Sequence, residues 1–246
     1  MSTDKCLSGL TAYLTGAGGG IGRVIAVDLS KLGAKVVLFG GNNETNAEAT
    51  AKSIKDAGGE YEIVLGNLTD DDTMKSMFNT AISKTGGVDI LINNAGIAYS
   101  EPMESTPIEV YDKVMAINSR VPYMLTQLCL PYLKKSKRAS IINISSVVAH
   151  AGYPLQSAYV ASKHALLGFT KSLASEVYKE GIRVHAISPG GVFTDMIKVS
   201  RPDLTGEGMI MPEEISDIVM FLLKNRGNAV IDEIIVHRLG KEPFLV

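Results

Sequence analysis

Short, continuously apolar runs alternate along this chain with longer amphipathic stretches, and that alternation restricts the fold more than any other feature. The runs occupy residues 11–14, 35–39, 60–65, 88–93, 139–145, 182–188 and 229–237. Helical periodicity occupies 22–32, 44–57, 70–84, 107–135, 159–180 and 212–224. A strand with one wet face alternates apolar and polar residues. Most of these runs do not alternate, so the sheet they build is covered on both faces. Strand–helix repetition brings the strands in parallel through right-handed crossovers. The expectation is an α/β, Rossmann-type doubly wound parallel sheet of about seven strands with helices on both faces. No linker rich in Pro, Gly or Ser divides the chain, so 1–246 reads as a single domain.

Composition narrows the partners. The net charge is −2, and phosphate-backbone binding needs a concentrated basic surface, so no nucleic acid is expected. The one dense basic run, Lys134-Lys135-Ser136-Lys137-Arg138, reads as a solvated loop ahead of an apolar strand. Two cysteines, Cys6 and Cys129, have no metal-site or disulfide spacing, and no metal is expected. The chain has no basic-then-apolar leader, and no apolar run approaches the ~20 residues that span a bilayer. The expected setting is the cytoplasm, with no membrane partner.

The first strand runs into Thr15-Gly16-Ala17-Gly18-Gly19-Gly20-Ile21-Gly22, and a helix pattern follows. Glycines allow a tight turn and close approach to a pyrophosphate, whose charge the helix N-terminus favours. A purely structural turn is the competing reading. The pattern T-G-x-x-x-G-x-G resembles the glycine turn of the short-chain dehydrogenase/reductase family, and the resemblance extends over essentially the whole chain. It implies NADP or NAD as cofactor and a small carbonyl or alcohol substrate.

Tyr159 and Lys163 are four residues apart, on one helical face. A neighbouring ammonium lowers a phenol's pKa, which would let the pair exchange protons near neutrality. Alone, the pair also reads as a packed Tyr beside a solvated Lys. Ser146, thirteen residues before Tyr159, ends an apolar strand. Its spacing matches the family's catalytic serine, whereas Ser145 shifts it by one. A strand-ending or capping pair is the alternative for both. Asn118 lies on the long helix after the fourth strand, where Asn is unfavourable by propensity. The resemblance implies that it holds a water and links Lys163 to solvent; a surface Asn is the alternative.

Further segments carry the resemblance. Asn93-Asn94-Ala95-Gly96 ends the fourth strand, Pro189-Gly190 follows the sixth, and Val192 and Thr194 come shortly after, where the family contacts the nicotinamide. The implied cofactor contacts are Gly16, Gly18, Gly19, Gly20, Ile21, Gly22, Gly40, Gly41, Asn42, Asn67, Leu68, Asn94, Ala95, Gly96, Tyr159, Lys163, Pro189, Gly190, Val192 and Thr194.

The chain departs from the family at three places. Gly40 stands where NAD users carry Asp, and Gly41 and Gly19 stand where NADP users carry a base. Without a carboxylate nothing repels a 2′-phosphate, and Asn42 or Asn43 has a donor for it, so the lean is to NADP. Asn67 replaces the usual Asp against the adenine amino group, with a side-chain oxygen able to accept. Val236-His237-Arg238 replaces the common Asp-Gly-Gly ending in a region that builds subunit contacts; the family expectation is a homotetramer or dimer.

The expected activity is NAD(P)-dependent interconversion of a carbonyl and a secondary alcohol, with Tyr159 as general acid–base and Asn118, Ser146 and Lys163 completing the catalytic set. The rival is a non-catalytic dinucleotide sensor or scaffold on the same fold. The substrate pocket is expected around Val148, His150, Tyr153 and residues 194–211, with Met196, Met209 and Met211 as an adaptable cover.

Overall fold

A computed structural model describes residues 5–195, 197 and 205–242. Its seven strands form one sheet: β1 (Thr11–Thr15), β2 (Lys35–Phe39), β3 (Glu60–Val64), β4 (Ile90–Asn93), β5 (Ser140–Ile144), β6 (Arg183–Pro189) and β7 (Glu233–Val236). Every pairing is parallel and the order is β3-β2-β1-β4-β5-β6-β7. The order reverses between β1 and β4, and the crevice outside their carboxyl ends is where this architecture takes ligands.

Two apolar layers explain why the strands do not alternate. On one face Leu14, Leu38, Ile92, Ile142 and Ile187 meet helices α1 (Gly20–Lys31) and α2 (Glu44–Asp56) through Ile25, Leu29 and Ile54. The same layer takes in Ile215, Val219 and Leu223 of α7 (Pro212–Lys224). On the other face Tyr13, Val37, Leu91, Ile141 and Val184 meet α3 (Asp71–Thr85), α5 (Val121–Leu133) and α6 (Ser157–Val177). Removing both faces from water is the main drive for this arrangement.

The single helix expected over 107–135 is instead three pieces. Helix α4 (Ile108–Met115) passes into a π turn, Ala116–Arg120, and then into α5. The Val121 N–H reaches back five residues to the Ala116 carbonyl. Pro122 has no N–H to give the Asn118 carbonyl in the α pattern. Asn118 therefore sits in a π turn rather than mid-helix, and such turns gather at functional sites. The last strand is also shorter than expected: β7 covers 233–236, and Val230 and Ile231 before it are exposed. No helix among the described residues is long and apolar enough to cross a membrane.

Candidate active site

The glycine turn is stitched to the end of β4. Thr15 Oγ1 accepts from the Asn94 and Ala95 N–H groups at 3.1 Å, and Asn94 Nδ2 donates to the carbonyls of Thr15 at 3.0 Å and Gly16 at 3.1 Å. Gly16 has φ +69°, and a Cβ there would lie 2.8 Å from Ala95 Cα. A Cβ on Gly22 would lie 2.6 Å from Asn94 Nδ2. These two glycines let the backbones of the first and fourth βα junctions touch. Gly20 carries Thr194 against it, 3.0 Å from a would-be Cβ to Cγ2.

Gly19 is different. Its backbone is extended, it caps α1 without a side-chain acceptor, and a Cβ there would meet nothing. The first N–H groups of a twelve-residue helix thus have open space beside Gly19 and no side-chain cap, which fits a dinucleotide pyrophosphate. The sequence reading missed the brace beneath this turn. Arg23 Nη2 donates to the Gly18 carbonyl at 2.7 Å and Nε to Thr50 Oγ1 at 3.1 Å. Thr50 Oγ1 in turn donates to the Ala17 carbonyl at 2.8 Å. Nothing in the spacing of Arg23 and Thr50, which lie on different helices, announces the pair.

At the end of β2 the chain turns through Gly40 and Gly41, with φ +90° and +84°. Gly40 N–H donates to the Val64 carbonyl at 2.8 Å, and a Cβ on Gly40 would lie 2.6 Å from Leu68 Cγ. Leu68 therefore occupies the space an acidic side chain at 40 would need. Asn42 is exposed. Asn43 is committed to the fold through its side-chain oxygen, which accepts from Asn46 N–H at 2.9 Å and caps α2. The expectation for Asn67 is revised. Its Oδ1 already accepts from Thr69 N–H at 3.1 Å and Thr69 Oγ1 at 2.8 Å, so both lone pairs are taken, and what remains is a donor.

Asn118, Ser146, Tyr159 and Lys163 do converge. Ser146, two residues past β5, is extended and caps the short turn Val147–Ala149, and its side chain is near enough to the Tyr159 phenol to lower its pKa. Ser145 Oγ is buried with no partner among the described residues, so the geometry separates the two serines. Lys163 is buried, and its Nζ donates to the Ile144 carbonyl at 2.8 Å while lying 5.8 Å from the centre of the Tyr159 ring. Asn118 is fully buried. Its Oδ1 accepts from Ile97 N–H at 2.8 Å, and its Nδ2 donates to the Ile97 carbonyl at 2.8 Å and to Ser162 Oγ at 3.0 Å. Ser162 Oγ closes the chain by donating to the Tyr159 carbonyl at 2.7 Å. Gly96 makes the meeting possible, since a Cβ there would lie 3.3 Å from Asn118 Oδ1 and 3.7 Å from Lys163 Nζ.

The expected electrostatics of the pair need correcting. Burial holds the Tyr159 phenol above its ordinary value of 10.0, against which the neighbouring Ser146 hydroxyl works downward. Burial brings the Lys163 ammonium down from 10.5 to about 8. The ammonium is anchored on the Ile144 carbonyl and not on the phenol oxygen, so desolvation outweighs its attraction for a phenolate.

On the flank, the Gly190 N–H donates to the Val236 carbonyl at 2.8 Å, which holds the Pro189-Gly190 bend beside β7. Val192 bridges Ile210, and Phe193 N–H donates to the Ile210 carbonyl at 2.8 Å. Met209 is buried and Met211 exposed; Met196 and the stretch 198–204 lie outside the described residues. His150 is neither free for substrate nor solvated. Its Nε2 lies 2.6 Å from Glu233 Oε1, which also accepts from Ser188 Oγ at 2.6 Å. Glu233 of β7 thereby holds the loop that begins at Ser146, a link between segments too distant in sequence to be read from it.

A family model described as short chain dehydrogenase matches residues 10–205. The chain is 32% identical to the 3-oxoacyl-(acyl-carrier-protein) reductase FabG of Thermotoga maritima, over 93% of this chain and 96% of that protein. It is 34% identical to the D-beta-hydroxybutyrate dehydrogenase of Rhizobium meliloti, over 85% and 82% of the two chains. Among solved structures, a dehydrogenase/reductase from Sinorhizobium meliloti superposes with TM-score 0.86 at 31% identity, covering 96% of both chains. A metagenomic short-chain oxidoreductase in complex with NADP superposes with TM-score 0.83 at 31% identity, covering 96% of this chain and all of that one (100%).

Proposed function

Because the chain belongs to the short-chain dehydrogenase/reductase family, and is an NAD(P)-dependent oxidoreductase that interconverts a carbonyl and an alcohol, we propose that Tyr159 is its general acid–base and that residues 1–246 work as one dinucleotide-binding and catalytic domain. The observation that carries the assignment is the convergence of Ser146 and the buried Lys163 on Tyr159, with the lysine Nζ 5.8 Å from the centre of the ring. Bound nicotinamide supplies the hydride. Tyr159 gives a proton to the carbonyl oxygen in reduction, and Ser146 steadies the charge that gathers there. A phenol kept protonated by burial is the correct starting state for donation. Lys163, charged and fixed on the Ile144 carbonyl, stabilises the phenolate left behind. Asn118 holds Ile97 and Ser162, and so sets the wall against which Tyr159 and Lys163 pack. In this reading the Asn118 main-chain carbonyl, to which Pro122 has no N–H to give, holds the water through which Lys163 is reprotonated.

Gly16, Gly18, Gly19, Gly20, Ile21 and Gly22 cradle the pyrophosphate in this reading. Gly40, Gly41 and Asn42 border the adenosine ribose, and Leu68 lies against the adenine. Asn94, Ala95, Gly96, Pro189, Gly190, Val192 and Thr194 border the nicotinamide half. NADP is the preferred dinucleotide, because no carboxylate stands at the end of β2 and a relative of similar fold takes NADP. The setting is the cytoplasm and the assembly a dimer or tetramer, favoured by apolar side chains exposed on α5 (Tyr123), α7 (Phe221) and edge strand β7 (Ile235). Tyr159→Phe decides the assignment: turnover of a carbonyl panel should fall at least ~100-fold while NAD(P)H binding, read by cofactor fluorescence, persists. Near-normal turnover by that variant overturns it.

A further inference from the structure

We propose that Arg238 forms an anion-binding subsite at the substrate end of the cleft, holding a carboxylate or phosphate that the carbonyl substrate carries away from its reacting carbon. The inference rests on the oxidoreductase reading for what reacts, and on geometry for what is held. Parallel register sets Pro189 opposite Val236, so two residues further on Arg238 lies beside Gly191. Gly191 follows β6, whose neighbour β5 leads two residues on to Ser146. The strand order places β7 at the opposite edge from β2 and β3, which border the adenosine half. Arg238 therefore serves the substrate end of the crevice rather than the cofactor's phosphates.

The side chain is seated, not dangling. A Cβ on Gly191 would lie 3.4 Å from Arg238 Cδ, 3.6 Å from its Nε and 3.0 Å from Met209 Cε. The arginine stem lies in van der Waals contact over the bare backbone of Gly191, and a Cβ there would press on Met209 rather than on the arginine. Arg238 is half-buried, and among the described residues its one side-chain hydrogen bond runs from Nη1 to Met209 Sδ at 3.2 Å. A thioether is a weak acceptor, and a guanidinium carries five donors and a permanent charge. The other described arginines that hydrogen-bond through their guanidinium are better served. Arg23, Arg138, Arg183 and Arg226 each donate to main-chain carbonyls, and Arg120 pairs with Asp71. Arg238 alone of these has neither kind of partner, and it stands just past the carboxyl end of β7, on the side of the sheet where this architecture takes ligands. A planar oxyanion matches its fork with two parallel bonds.

The test uses the full chain, with 2-oxo, 3-oxo and 4-oxo acids of increasing length, each paired with its methyl ester, and a matching phosphate-bearing ketone. Turnover with NADPH and NADH is measured beside thermal shifts given by the corresponding hydroxy acids and esters with cofactor bound. At least one acid or phosphate should exceed its uncharged partner about 10-fold or more in kcat/KM or affinity. Arg238→Gln should erase that ratio and Arg238→Lys restore part of it. Equal behaviour of charged and uncharged partners throughout, including no binding of either, overturns the proposal, as does a ratio that survives Arg238→Gln. Failure of the oxidoreductase reading looks different: no member of the panel is turned over, while thermal shifts still separate acid from ester.

Discussion

The Lys163 ammonium lies 5.8 Å from the centre of the Tyr159 ring yet donates to the Ile144 carbonyl at 2.8 Å, one strand end away. The two side chains share a helical face, but the end of β5 fixes the lysine. The site is consequently a buried cation beside a half-buried tyrosine, and its stability depends on pH in a definable way.

Burial brings Lys163 from 10.5 to about 8, so its folded pKa lies below its unfolded one. Between these values the unfolded chain binds the extra proton, and raising pH through that window favours the folded state. Below about 8 the charged lysine carries its full cost, on the order of 3 kcal/mol, before its hydrogen bond is counted. Lys163→Met should therefore lose activity but be more stable than the parent at pH 7, with the gap closing towards pH 10. Urea unfolding of both proteins at several pH values checks this; a gap that widens as pH rises contradicts it.

Asn118 clamps both main-chain groups of Ile97 and reaches Ser162. Asn118→Ala leaves a buried N–H and carbonyl without these partners, a loss of about 2–4 kcal/mol. Catalysis should fall further than stability alone explains, because the wall behind Tyr159 loosens. The comparison is kcat at a temperature where unfolding titrations show the variant fully folded.

Gly40 and Leu68 are coupled. Gly40→Asp forces a left-handed φ of +90° on a side chain that also collides with Leu68, costing about 1–3 kcal/mol or more. Leu68→Ala added to it should recover part of that loss and, by placing a carboxylate at the ribose, move preference from NADP to NAD. Melting temperatures and cofactor Kd values of the single and double variants form the cycle. Independent, additive effects would show that Leu68 does not fill the place of the acid.

Glu233 ties His150 and Ser188 together through one oxygen. Glu233→Ala should cost about 1–3 kcal/mol by stranding two partly buried polar groups. It should also lower kcat, since the loop from Ser146 to His150 loses its anchor. Glu233→Gln, which keeps a carbonyl acceptor for Ser188, should fall between parent and alanine variant. Unfolding titrations and kcat measured together test it: unchanged kcat in both would confine Glu233 to stability.

Much of this protein is written in local sequence. Continuous apolar runs specified seven parallel strands, because a strand dehydrated on both faces has no polar period. The T-G-x-x-x-G-x-G turn and the separations among Asn118, Ser146, Tyr159 and Lys163 marked the site, because each motif is fixed by the turn, strand end or helix that carries it. What depended on neighbours from other elements was decided only in three dimensions. Pro122 hinted at the π turn, but Asn118's hold on Ile97 and Ser162 needed the segment after β4 and helix α6 brought against that turn. His150 read as loop histidine until β7 supplied Glu233, and Asn67 as an acceptor until Thr69 folded back on it. The phenol and ammonium of Tyr159 and Lys163 make the same point most sharply. Spacing put them on one face, but desolvation is a property of the packed interior, and it set the direction in which each proton is held.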